Sequence, residues 1–382
     1  MNNGKPFLIS LTGVDSHKIK IPDGQGSFSI GTKGISQGKF DAVVDAGAKV
    51  NWPVFQESQF ESTYAWPRFF YYSGNDCSFA QWSIDRRIEM FSWRPYEDVV
   101  LDASECNISR LHIHSFGNKV HLQLGTKVRE LCLSGDLEAF IFTGICALQR
   151  LTYSLHSDST VNAIHCLPTH SLFEKLQIID IENSAIGKPF DCQSLLQFPN
   201  VEVLNLSGNL INLEVLSDLK HLNSIGIRNA PNLQGFPSLH TWSGLTSFIG
   251  WIVEEQGGKQ LQKELKELLV KRKMSYSNVS KLKKQNWFLT EYTLPFKGWE
   301  GKNEKAATKK YKETLKKVAK AQTENQIEIL FQDFIQFFNT LEDIETIERE
   351  DIGEAVALLA KASKRIVTDE QANLWFDTYR DY

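Results

Sequence analysis

His112 and His114 flank a single isoleucine, a spacing that puts two imidazoles on one side of a β-strand, within reach of one metal ion. A zinc site needs a third ligand, and the nearest candidates, Cys132 and His121, stand in no metal-binding motif. The expected cofactor complement is therefore none. The six cysteines, at 77, 106, 132, 146, 166 and 192, include no C-x-x-C pair and read as small buried hydrophobes in a reducing compartment. The acidic run 342–350 (EDIETIERE) lacks the D-x-D-x-D-G loop that holds calcium. G-x-S-x-G, H-E-x-x-H, Walker A and G-x-G-x-x-G are absent, so the chain is expected not to be an enzyme. An enzymatic alternative would need a pocket where the repeats described below meet the C-terminal helices, with Asp180, Glu182 or His156 displaced in pKa.

Charge segregates near the C-terminus. Residues 257–320 hold 18 Lys/Arg against 6 Asp/Glu, whereas 324–382 hold 5 against 14. Lys305, Lys309, Lys312, Lys316 and Lys320 follow helical spacing and form one stripe, the basis of an alternative reading as a nucleic-acid-binding segment. Arginine is missing from that stripe and only Tyr311 could stack on a base, so nucleic acid is not the expected partner. The simpler consequence is a helical bundle whose basic and acidic faces mate.

The elements that would position these groups emerge from an internal repeat. Val201, Leu204, Leu206, Asn209 and Ile211 fit L-x-x-L-x-L-x-x-N-x-L at every position. Its L-x-x-L-x-L core recurs at Ile108/Leu111/Ile113, Val128/Leu131/Leu133, Leu148/Leu151/Tyr153, Leu176/Ile179/Ile181, Leu222/Ile225/Ile227 and Leu245/Phe248, with Ile88/Phe91/Trp93 as a further turn. The first positions step by 20, 20, 28, 25, 21 and 23 residues. In L-x-L both leucines leave a short strand on the same side, so stacked strands merge them into one core. Asn209 is expected to bond backbone at the turn, and its replacement by Asp136, Ser184 or Ala230 makes that ladder incomplete.

These residues resemble the leucine-rich-repeat family over 85–252. The resemblance implies an α/β fold: an irregular leucine-rich-repeat solenoid, with an N-terminal β-rich cap or small domain over 1–84 and a C-terminal helical domain over 253–382. The N-terminal segment is rich in Gly and aromatics, with six aromatics in 64–72. The helices are expected at 259–273, 303–321, 323–341 and 350–364, and from 369 onward, with Thr323, Asp351 and Thr368 as N-caps.

Side chains alternating with the core leucines face outward. Three columns result: Arg110, Glu130, Arg150, Ile178, Val203 and Ser224; His112, Cys132, Thr152, Asp180, Asn205 and Gly226; His114, Ser134, Ser154, Glu182, Ser207 and Arg228. In proteins of this resemblance they line a concave binding face. From them Arg110, His112, His114, Glu130, Ser134, Arg150, Asp180, Glu182, Asn205 and Arg228 are the expected partner-binding residues. Their mixed signs and hydroxyls suit a protein partner and lack the basic lining that phosphate favours.

Some secreted bacterial effectors join such repeats to a helical ubiquitin-ligase domain with a cysteine nucleophile. Here the last cysteine is Cys192 and the helical tail has none, so a thiolate mechanism has no thiol. The ending EREDIGEAVALLAKASKRIVTDEQANLWFDTYRDY resembles the C-terminus of bacterial cytoplasmic leucine-rich-repeat proteins, which implies an immunity-type role that neutralises a cognate toxin. The net charge of −4, the lack of a basic N-terminal region before an apolar run, and the lack of a ~20-residue apolar stretch predict a soluble cytoplasmic protein without a membrane partner.

Overall fold

Apolar residues at every second position make strands with one buried face. The computed structural model describes residues 7–22, 24–56, 67–145, 147–155, 164–299, 301–342, 344–364 and 366–382. Its strands are β1 (Phe7–Ser10), β2 (Lys18–Ile21), β3 (Ser27–Thr32), β4 (Ala42–Val44), β5 (Phe69–Ser73), β6 (Ile88–Arg94), β7 (Val99–Ala103), β8 (Ile108–Ser115), β9 (Val120–Leu124) and β10 (Glu130–Gly135). They continue with β11 (Phe140–Gly144), β12 (Arg150–Ser154), β13 (Ile178–Glu182), β14 (Phe190–Asp191), β15 (Val203–Ser207), β16 (Leu210–Ile211), β17 (Ser224–Ala230), β18 (Ser247–Val253) and β19 (Tyr276–Ser280). The helices are α1 (Phe79–Trp82), α2 (Glu255–Lys271), α3 (Gln285–Thr290), α4 (Gly301–Val318), α5 (Glu324–Phe338), α6 (Thr346–Ala362) and α7 (Asp369–Tyr379). None is long and apolar enough to cross a membrane, among the described residues.

The chain divides into two units, Met1–Gln285 and Asn286–Tyr382. In the first, twelve strands form one sheet in the order β4, β3, β5, β6, β8, β10, β12, β13, β15, β17, β18, β19. Every neighbouring pair is parallel. Parallel neighbours require the chain to return between strands. Several of these returns carry short strands of their own, and β7, β9 and β11 pair into a second parallel sheet. Leu101, Leu122 and Phe140 from that sheet share one core with Leu111, Leu131 and Leu151 from the large one.

This topology corrects the expected leucine-rich-repeat solenoid over 85–252 with a β-rich cap. The chain builds one large parallel sheet to which both flanking segments contribute, β3, β4 and β5 from before residue 85 and β19 from beyond 252. A cap covers the end of a core and stops strand addition. Here Phe28, Ile30, Phe70 and Tyr72 enter the same core as Leu111 and Leu131, and their backbones continue the ladder. Of the aromatic run 64–72, residues 64–66 lie outside the described residues; Phe70 and Tyr72 are buried, and Tyr71 is exposed.

α2 also belongs to the first unit. Glu254 accepts from the backbone N–H of Gln256 and Gly257 and caps it, and Leu261, Leu265 and Leu268 form an apolar stripe in the first core. The turn residues bond backbone: Asn209 reaches back to an earlier turn and donates to Gly187 O at 3.1 Å, whereas Asp136 accepts from Glu138 N and Ser184 from Ile186 N within their own turns. In the second unit, Phe331, Phe334, Phe338, Ile352, Val356 and Trp375 bring α5, α6 and α7 around one core. Thr323 and Thr368 cap α5 and α7 as their spacing predicts. Asp351 does not cap α6, which starts after Glu345; it lies inside the helix and accepts from the buried Trp299 Nε1 at 2.9 Å.

Candidate functional site

Strands β8, β10, β12 and β15 share one burial pattern, with each buried residue followed by a half-exposed one. One face of the large sheet is therefore core and the other is open to solvent. Parallel sheets are usually covered on both faces, so the open side is the distinctive feature of this fold.

The three outward columns are rungs of the ladder. Arg110, Glu130, Arg150, Ile178, Val203 and Ser224 pair in succession; so do His112, Cys132, Thr152, Asp180, Asn205 and Gly226, and likewise His114, Ser134, Ser154, Glu182, Ser207 and Arg228. All ten expected partner-binding residues stand on this face. The middle rung continues through Ser92 to Tyr71 and Ser29, the last two on strands outside the expected repeat boundaries. The Ile88/Phe91/Trp93 spacing pointed to Ser92, whereas Tyr71 and Ser29 carry no local signal because their strands use Phe, Tyr and Ile.

Asp180 is the hub. It is 8% exposed, and its Oδ2 accepts from Arg150 Nη1 at 3.1 Å and Thr152 Oγ1 at 3.2 Å. Its Oδ1 accepts from Asn205 Nδ2 at 2.6 Å. Gly226 leaves room for this arrangement, since a Cβ there would stand 2.4 Å from Asn205 Oδ1. His114 Nδ1 bonds Ser134 Oγ at 2.9 Å. Arg110 lies over the Phe69 ring at 5.9 Å. Glu130, Glu182 and Arg228 make no side-chain hydrogen bond or ion pair among the described residues. The face thus combines a pre-ordered centre with charges that have no internal mate.

Among the described residues, the two face histidines gain no third ligand and Cys132 is not a thiolate. His121 lies on β9 in the other sheet, away from His112 and His114. Among the described residues no group of three or more His, Cys, Asp and Glu side chains is placed to hold a metal ion. Burial, with the Glu182 and Asp180 charges, pushes the Cys132 thiol up to about 12, so it stays protonated at neutral pH. Cys106 and Cys192 are buried as expected, whereas Cys77 and Cys132 are only half-buried and Cys166 is exposed. Cys146 and His156 lie outside the described residues. In α4 the lysines are solvated or paired, as Lys310 is with Asp333 at 2.8 Å, and Tyr311 is buried, out of reach of a base.

Burial lowers the pKa of both face histidines, aided by Arg110 at His112 and by Arg94 at His114, while Glu130 and Glu182 act the other way at His112. The unfolded chain takes up these protons near pH 6.5, before the folded chain does. Stability is therefore full above that pH and falls as pH drops through 6.5 toward the lowered folded values. A His112→Gln/His114→Gln variant is expected to show a shallower fall in thermal midpoint between about pH 7.5 and 5.5. Parallel curves for variant and parent would refute that assignment.

Among protein-family models, curated proteins and solved structures, none matches this chain.

Proposed function

We propose that the chain is a non-catalytic binding protein that holds a folded partner protein against the open face of its twelve-stranded sheet. The observation that carries this reading is the solvent-open face itself, with Glu130, Glu182 and Arg228 unpaired, among the described residues, around the Asp180 network. Unpaired rim charges steer and select a partner, and a pre-ordered centre loses little entropy on binding. The three rungs cover about 24 Å by about 13 Å, roughly 300 Å² in projection, where a stable interface takes ~800 Å² per partner. The partner therefore extends onto neighbouring strands, toward Ser92 and Tyr71 or toward Trp251. Occlusion is the proposed mechanism, and toxin neutralisation is the form of it implied by the C-terminal resemblance. The free thiols of Cys77, Cys106, Cys132, Cys166 and Cys192 suit a reducing cytoplasm.

The test places a photo-crosslinking residue at Ser134 on the open face, or at Val100, which is 74% exposed on the smaller sheet. One protein captured from the native host through Ser134 but not Val100, and lost in a Glu130→Ala/Glu182→Ala/Arg228→Ala variant, is the expected result. Equal capture from both positions, or capture indifferent to the triple variant, moves binding off this face.

A further inference from the structure

At the β3–β5–β6 end of the open face lies a cavity of about 450 Å³, within the range of sites for small organic ligands. Strand residues line it, among them Ser29, Tyr71, Ser92 and Arg94, together with Ile35, Lys39 and Phe40 from the segment between β3 and β4. That segment is anchored. Ser36 Oγ accepts from Thr32 N at 2.7 Å and bonds Ser73 Oγ at 2.8 Å, and Lys33 N donates to Val44 O at 2.8 Å. Phe40 lies on the backbone of Gly31, where a Cβ would come within 2.7 Å of its ring, so only glycine leaves the ring this position.

Two features define what the cavity can take. Phe40, Tyr71 and Phe116 line it, and Tyr71 and Phe116 are 45% and 64% exposed, so ring surface is left without an intramolecular cover. Arg94 and Lys39 also line it, and among the described residues no carboxylate does. The Arg94 guanidinium makes no hydrogen bond or ion pair among the described residues. Asp41, which is bonded to the lining Ser29, has both oxygens engaged, one by Ser29 N and Oγ at 2.7 Å each and the other by Gln25 Nε2 at 3.1 Å. An inorganic anion would satisfy the cations but leave the rings wet, and a neutral aromatic would leave Arg94 without a mate.

We propose that this cavity binds an arylalkanoate, an aromatic ring joined by a short chain to a carboxylate. The ring would pack among Phe40, Tyr71 and Phe116, and the carboxylate would take the planar fork of Arg94 with hydroxyl donors such as Ser92 beside it. The ligand is a free small acid or the C-terminal aromatic residue of a polypeptide, which present the same chemistry. The cavity meets the proposed partner footprint at Ser92 and Tyr71 but uses none of the ten expected partner-binding residues.

Isothermal titration of the full chain with 3-(4-hydroxyphenyl)propionate and its amide, and with acetyl-Ala-Ala-Tyr as free acid and as amide, tests it. Each acid is expected to bind about tenfold or more tighter than its amide, the usual scale for a charge-assisted contact. Arg94→Gln should erase that preference, and Tyr71→Ala should weaken acid and amide alike; both side chains are solvent-exposed, and thermal midpoints check that the variants fold. A peptide acid tighter than the small acid assigns a polypeptide source, and equal or weaker binding assigns a small molecule. Acid and amide binding alike, an acid affinity unchanged in Arg94→Gln, or no binding up to about 10 mM each overturns the proposal.

Discussion

Trp52→Ala is expected to lower the unfolding free energy of the first unit by about 3–5 kcal/mol, the range for truncating a fully buried aromatic. Trp52 is 1% exposed and sits among the aromatics where the N-terminal segment joins the large sheet. Its ring stacks on Trp82 at 5.6 Å and meets Tyr72, Phe91 and Phe79 edge-on at 5.3, 5.5 and 5.9 Å. Its Nε1 donates to Asp76 Oδ2 at 3.2 Å, and Val50 N donates to the same oxygen at 2.9 Å. Alanine opens a void among rings that rigid neighbours cannot fill and removes one of the Asp76 donors. Urea unfolding should show a lower midpoint, whereas the exposed Tyr71→Ala stays within about 0.5 kcal/mol of the parent. A Trp52→Ala loss below about 1.5 kcal/mol would mean that this cluster does not hold the N-terminal strands in the sheet.

The second large effect concerns Asp180. Asp180→Ala leaves Thr152 and Asn205 without their acceptor and frees Arg150, at an expected cost of about 1–3 kcal/mol. Partner binding falls with it, because the rungs on either side lose the hub that orders them. Glu182→Ala provides the contrast. Glu182 has no internal mate, so its removal should leave stability within about 0.5 kcal/mol while still weakening the partner. The comparison separates a residue that organises the face from one that touches what binds there. If both variants bind the partner normally, the open face is not the interface; if Asp180→Ala is as stable as the parent, the network does not order it.

The rungs are legible in the order of residues alone. From β8 to β17, L-x-L spacing sets which side chains are buried, and each strand pairs with the next in the register that keeps those leucines aligned. A one-residue slip would turn the leucines to solvent, so the outward columns follow from the inward ones. The limits of the sheet are not legible in the same way. β3 and β5 bury Phe28, Ile30, Phe70 and Tyr72 in place of leucines, and a long connection separates them. β19 buries only Val279. Their membership depends on backbone ladders with distant neighbours, which no local period records.

Local chemistry likewise determined the Thr323 and Thr368 caps, because an N-cap needs only its own next turn. Asp351 shows the opposite case: its partner is Trp299, far along the chain, and that contact places it inside a helix it looked ready to start. The sequence by itself determined the strand periodicity, the outward columns and the lack of any recognised catalytic motif. Only the tertiary structure decided that one parallel sheet runs through both flanks, that Asp180 gathers donors from two neighbouring strands, and that Arg94 shares a cavity with Phe40, Tyr71 and Phe116. Alternation is a property of neighbouring residues, while networks and cavities are made by side chains that meet only after the strands have been laid side by side.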